Sequence, residues 1–138
     1  MKIVSDESGA PFIVLFDGNG NANVVVTEHE HGPALALYDA NKQLRLILEL
    51  EPSGSPSLRM ADANGQPIVA AGTWEYGPMV AIYNPNGKQN LSLSISSLGA
   101  PWLLMQDANG DNVLKLAVES DGPCLKFGKD NKVYWSAP

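Results

Sequence analysis

Apolar and polar residues alternate along most of the chain, in short runs that polar turns interrupt. A proline followed eight residues later by an asparagine marks the pattern, and six such pairs occur: Pro11/Asn19, Pro33/Asn41, Pro56/Asn64, Pro78/Asn86, Pro101/Asn109 and Pro123/Asn131. After each proline the second and fourth residues are apolar, as Ile13 and Leu15 are after Pro11. An alternation with a period of two is typical of a strand with one face on a core.

Polar turns follow these strands, most clearly as Asp-x-Asn-Gly at 17–20, 62–65 and 107–110. Asn and Gly tolerate a positive φ, and an Asp side chain can bond its own backbone two residues on. A second alternating strand comes after each turn, as in 44–48 and 91–95. No segment shows a sustained helical period. The sequence therefore predicts an all-β protein built of six β-hairpins.

The spacing of the prolines shows a longer repeat. Successive prolines are 22, 23, 22, 23 and 22 residues apart, so the unit is a pair of hairpins, 45 residues long. Three units follow, at 11–55, 56–100 and 101–138. Because Ser8-Gly9-Ala10-Pro11 matches Leu98-Gly99-Ala100-Pro101, residues 1–10 are expected to complete the last unit and close a ring. Residues 1–138 are expected to form one domain.

Three pseudo-symmetric units with twelve strands favour a β-trefoil-like fold. A three-sheet β-prism or another closed β-barrel has a similar symmetry and is the alternative. Closure is expected because it removes exposed sheet edges, and because the chain lacks the distinct capping repeats of an open solenoid.

Several first strands are apolar on both faces, for example 12–16, 34–38 and 79–83. Such runs are typical of strands that are covered on both sides, and a large exposed apolar surface usually marks an interaction site. The pattern predicts a homo-oligomer. The alternative is that the second strands of the hairpins cover the first ones within one subunit.

Composition excludes several classes of protein. The 138 residues carry a net charge of −6, which argues against a nucleic-acid partner. No apolar stretch is long enough to span a membrane, so no membrane partner is expected. The N-terminus lacks the layout of a signal peptide, which indicates a cytoplasmic protein or a secreted one already processed. The single Cys124 occupies the repeat position of Ala34 and Met79, and a buried, unreactive thiol is expected.

Two connectors between hairpins carry the candidate binding residues. Glu28-His29-Glu30-His31 holds both histidines, and Trp74 and Tyr76 lie in the matching connector one unit later. Rigid β scaffolds carry function on loops, and Trp and Tyr are favoured at binding surfaces. The predicted ligand-binding residues are therefore His29, Glu30, His31, Trp74 and Tyr76.

Metal and catalytic chemistry find little support. Asp17, Asn19, Asn21 and Glu28 imitate the spacing of a calcium loop, but Ala22 stands at the position that requires glycine. The two histidines lack evident further ligands for a metal. The sequence also lacks a nucleophile elbow and a phosphate-binding glycine loop. No metal, no cofactor and no enzymatic activity are expected.

The expected function is a non-enzymatic binding module, with carbohydrate or another small polar molecule as the ligand. This expectation rests on the fold class alone. The alternative is a structural protein that self-assembles through the apolar faces of its strands.

Overall fold

A computed structural model of the protein describes residues 2–5, 9–29, 32–75, 77–109, 112–129 and 132–137. These residues form strands and turns, without a helix. The strands are β1 (Lys2–Ser5), β2 (Pro11–Phe16), β3 (Ala22–His29), β4 (Gly32–Tyr38), β5 (Leu44–Leu50), β6 (Pro56–Ala61), β7 (Pro67–Trp74), β8 (Gly77–Tyr83), β9 (Gln89–Ile95), β10 (Pro101–Gln106), β11 (Asn112–Glu119), β12 (Gly122–Lys129) and β13 (Lys132–Ala137). The predicted all-β class with antiparallel hairpins is confirmed.

The strands follow one another in chain order, from β1 to β13, in an open antiparallel sheet. The chain divides into two compact units, Met1–Pro67 and Ile68–Pro138. The first unit holds β1 to β6, and the second holds β8 to β13 and nearly all of β7. The prediction that residues 1–138 form a single domain remains a prediction.

The predicted ring is wrong, whether as a β-trefoil, a β-prism or another closed barrel, because the described sheet is open. The N-terminal segment pairs instead with the strand that follows it. Ile3 lies opposite Ile13, in the register that places Leu48 opposite Leu58 and Leu93 opposite Leu103. Strand β1 is thus equivalent to β5 and β9, the last strands of the first and second 45-residue repeats. It pairs with β2 in the same way as β5 pairs with β6 and β9 pairs with β10.

The turns after β2, β4, β6 and β8 share one geometry. In the first, the Gly20 amide donates to the Asp17 carbonyl at 3.1 Å, and the Asp17 amide donates to the Asn21 carbonyl at 2.9 Å. The Asp17 carboxylate also accepts from the Asn19 amide at 2.9 Å and from the Asn21 amide at 2.8 Å. These bonds, above all the one from Asn21, lower the pKa of Asp17. The predicted turn chemistry is confirmed.

Side chains also connect neighbouring turns within the second unit. Asn90 Nδ2 donates to the carbonyls of Gln106 and Asp107 at 2.8 and 2.6 Å. Lys88 Nζ donates to the Asn109 carbonyl at 2.8 Å. These bonds stabilise the end of β10 against the start of β9, where a bulge at Met105/Gln106 interrupts the ladder between β10 and β11.

The fourth residue of each such turn has a left-handed backbone. Gly20, Gly65 and Gly87 have φ values of 82°, 79° and 74°, whereas Lys42 holds the same position at 64°. A side chain in this conformation costs roughly 1–2 kcal/mol, and glycine avoids most of that cost.

We expect Lys42→Gly to stabilise the protein by about 0.5–1 kcal/mol, since relief of the strain exceeds the added entropy of the unfolded chain. Gly65→Lys, the matched reverse change, should destabilise it by a similar amount. Thermal unfolding of the two variants measures both effects. A lower melting temperature for Lys42→Gly would contradict the assignment of strain to Lys42.

Candidate functional site

The predicted site residues fall in separate places. His29 ends β3 in the first unit, and Trp74 ends β7 in the second. Glu30, His31 and Tyr76 lie outside the described residues. Of the five, only Trp74 has a described side chain, and it is half-buried. Their common role in ligand binding therefore remains a prediction.

The described strands extend far into the segments predicted as connectors. His29 lies opposite Gly32, Trp74 opposite Gly77 and Glu119 opposite Gly122, which leaves two residues to make each turn. The three closing glycines have φ values of 119°, 118° and 124°. Because β3 and β7 extend into the predicted connectors, the described residues there belong to strands rather than to a long loop.

Gly77 is the most constrained of these glycines. A Cβ there would lie 2.1 Å from the Ile95 carbonyl oxygen, whereas a Cβ on Gly122 would have no neighbour within 4 Å. Since Gly77 and Gly122 have similar φ values, the two positions separate backbone strain from steric exclusion.

We expect Gly77→Ala to destabilise the protein by about 1–3 kcal/mol more than Gly122→Ala, because only the first forces backbone atoms apart. Urea unfolding of the two variants gives the difference directly. Equal losses of unfolding free energy in the two variants would show that the Ile95 carbonyl does not prevent a side chain at position 77.

The equivalent of Trp74 in the third 45-residue repeat is Glu119, which forms an ion-paired cluster. Its carboxylate lies 2.8 Å from Lys115 Nζ and 2.6 Å from Lys126 Nζ. Hydrogen bonds from Lys115 and then Lys126 lower the pKa of Glu119 to about 2, and the bond to Glu119 raises the pKa of Lys126. These residues lie on strands β11 and β12, so the cluster connects two neighbouring strands through charged side chains.

Because the folded pKa of Glu119 lies below its ordinary value of 4.5, the ion pairs stabilise the protein above about pH 4.5 and lose this effect as the pH falls towards 2. Glu119→Gln should therefore reduce the dependence of stability on pH in that window, as measured by urea unfolding from pH 6 to pH 2. Glu75→Gln, which removes an exposed turn carboxylate, is the matched control. An unchanged pH dependence in Glu119→Gln would exclude the cluster as its source.

The largest exposed feature of each unit is one face of its strands. Cross-strand register places side chains such as Ile13, Val26, Leu35 and Leu48 in one row on the same side. We call this side the apolar face. Its residues exposed by more than a third are Ile3, Ile13, Leu15, Val26, Leu48 and Met60 in the first unit, and Val80, Ile82, Leu93, Ile95, Met105, Leu116, Val118, Phe127 and Trp135 in the second.

The opposite face holds all the buried residues of the described chain, and they are small. They are Val14, Ala34, Ala36, Ser57, Ala70, Ala81, Ser92, Ser94, Ala117 and Cys124. The expected burial of Cys124 is confirmed. Charged side chains also lie on this face, where Arg59 pairs with Glu49 and Glu119 pairs with Lys115 and Lys126.

The opposite face also carries large apolar side chains that are half-buried, namely Phe12, Ile47, Trp102 and Leu104. The two faces therefore differ mainly in charge, since these ion pairs lie on the opposite face. The alternation that follows each proline does place Ile13, Leu15 and their equivalents on one face, as predicted. The face is exposed, however, and not covered by a core. None of the Leu, Ile, Phe, Met and Trp side chains that the structure describes is fully buried.

A groove crosses β7, β8 and β9 in the second unit. The groove has a volume of about 370 Å³, and its walls include Ala71, Val80, Leu93 and Ile95. The lining also includes Gly72, Met79 and Ser94, which belong to the opposite face, and the Ser94 hydroxyl already donates to the Pro78 carbonyl at 2.8 Å. The groove therefore favours an apolar occupant. Sequence reasoning missed it, although Ala71 in place of Val26 and Leu116 at the same repeat position was a visible signal.

The described residues contain no group of three or more His, Cys, Asp and Glu side chains that could hold a metal ion. The oxygens of Asp17, the first residue of the calcium-like segment, accept hydrogen bonds from Asn19 and Asn21. Nor does the described part of the chain include a helix that could cross a membrane.

No protein-family model matches the chain, and no curated protein matches it in sequence. Among solved structures, the chain is similar to a mutant of S. aureus TarM, crystallised in complex with Fondaparinux, alpha-GlcNAc-glycerol and UDP. The two share 15% sequence identity at a TM-score of 0.47, over 70% of this chain and 20% of that one. The matched part spans about a fifth of the length of the TarM chain.

Proposed function

We propose that the protein is a non-enzymatic assembly module that associates with further copies of itself through the apolar face. The observation that carries this proposal is the absence of large buried side chains from the described residues, together with the row of exposed Leu, Ile, Val, Met, Phe and Trp. A folded chain of this length normally buries several large aliphatic residues completely. Association with another copy covers the exposed side chains of the apolar face.

The accessible surface is large enough for such an interface. The chain exposes 9053 Å², whereas a folded monomer of 14.7 kDa exposes about 7,000 Å². The excess of roughly 2,000 Å² exceeds the roughly 800 Å² that each partner buries in a stable complex. At about 25 cal/mol per Å², this surface is the largest unused source of stability in the molecule.

The charge pattern favours a second copy as the occupant. Outside the bulges and turns, Glu28 is the one charged residue among the described strand pairs on this face. A face of this kind is matched by another uncharged apolar face, and every copy of the chain presents one. The net charge of −6 also opposes adsorption to an anionic lipid surface.

Sheet geometry permits such packing. Two antiparallel sheets pack face to face about 10 Å apart, with interlocking side chains from both inner faces. The period-two alternation of the apolar face provides those side chains at regular spacing along each strand. The carbohydrate ligand expected from the sequence has no comparable support, because the described groove has apolar walls.

Sedimentation velocity across protein concentrations from about 1 to 100 µM tests the proposal. We expect the wild type to be an oligomer whose melting temperature rises with concentration, as mass action requires. Leu48→Asp in the first unit and Leu116→Asp in the second should each weaken association by at least about tenfold, because each places a charge in the interface.

Leu98→Asp is the matched control. Leu98 is an apolar residue that is 94% exposed, but it lies in a turn and not on the apolar face. The same substitution there should leave association unchanged. A wild-type protein that is folded and monomeric at 100 µM would disprove the proposed function.

A further inference from the structure

The apolar face of the second unit contains a size gradient across three strands. Register places Ala71 of β7 beside Val80 of β8, and Val80 beside Leu93 of β9. The side chains thus grow from a small one, through an intermediate one, to a large one. Leu93 is 56% exposed, more than any other large apolar strand residue of this face for which the second unit shows an exposed side chain.

The gradient places a hollow and a projection on either side of one residue. All three residues of this row are among the walls of the groove of about 370 Å³. Neighbouring strands are about 4.8 Å apart, so the hollow at Ala71 and the projection at Leu93 lie at equal distances from Val80.

We infer that two copies pack through this row about a two-fold axis that runs along β8 above Val80, with Leu93 of each copy in the hollow above Ala71 of its partner. This inference rests on the proposed self-association and specifies its register. A two-fold axis along the strand exchanges the strands on either side of β8, so hollow meets projection twice in one interface. Such an isologous arrangement is the commonest form of protein dimer.

The next row supports the same axis. Thr73 of β7 lies beside Pro78 of β8, and Ile95 of β9 is another wall of the groove. The smaller side chain is again on β7 and the larger one on β9. Ile95 is 46% exposed, so the same rotation brings it over Thr73 of the partner.

Substitutions that exchange the sizes of the side chains at positions 71 and 93 test the proposed packing. We expect Ala71→Leu to weaken self-association on the order of tenfold to a hundredfold, since it fills the space that the partner's Leu93 requires. Leu93→Ala should weaken it as well, because it leaves the hollow empty. The double variant Ala71→Leu/Leu93→Ala should recover association to within about threefold of the wild type, since it exchanges the two shapes. Sedimentation equilibrium measures all three dissociation constants.

Val26→Leu is the matched control, because Val26 holds the repeat position of Ala71 in the first unit. It adds bulk to the apolar face away from the row, and association should be unchanged. Far-UV circular dichroism of each variant reports whether the strands are retained.

Two results would overturn the inference. Association unaffected by Ala71→Leu would show that the hollow is not filled, and a double variant weaker than both single variants would show that the two positions do not meet. If Leu116→Asp still dissociates the protein in either case, the proposed self-association stands with another register. A wild type that does not associate at all would remove the proposed function and this inference together.

Discussion

The structure depends on where an antiparallel meander can place its large apolar side chains. Each strand presents alternate residues to two faces, and here the second and fourth residues after each proline, all large and apolar, share one of them. The described residues provide no second layer within either unit to cover that face. Burial of apolar surface is the main favourable contribution to folding, and much of it is still available when each unit is considered alone. The proposed assembly follows from this unmet burial.

The opposite face is stabilised in a different way. Its central positions are small, and Ala81 and Ser92 lie side by side with no exposed area. Large side chains are not needed there, because neighbours on adjacent strands cover an alanine or a serine. Glu119 brings the ammonium groups of Lys115 and Lys126 together. The face therefore combines small buried residues with large half-buried ones, such as Ile47, Trp102 and Leu104.

The open ladder is a consequence of how the repeat propagates. The last strand of one 45-residue repeat pairs with the first strand of the next repeat in a constant register, as β5 does with β6 and β9 does with β10. That rule pairs β1 with β2 equally well. A linear repeat therefore needs no contact between its first and last strands.

Much of the architecture could be predicted from the sequence. The period-two alternation, the Asp-x-Asn-Gly turns and the 45-residue spacing identify the strands, their partners and the side of each residue, because these depend on interactions between near neighbours. The burial of Cys124 followed from its repeat position in the same way. For the candidate site, the sequence identified Trp74 as a residue type that is common at binding surfaces, but it placed this residue in a loop. The length of β7 decides that Trp74 lies in a strand.

Two properties were decided by tertiary structure alone. The match between 8–11 and 98–101 is compatible with a ring and with an open ladder, and the choice depends on pairing between distant strands rather than on either segment. Alternation likewise shows that Ile13, Leu15 and their equivalents share a face, but it does not show what covers that face. Burial is a property of the whole arrangement of chains in space, so the sequence determined which residues lie together and the tertiary structure decided that they are exposed.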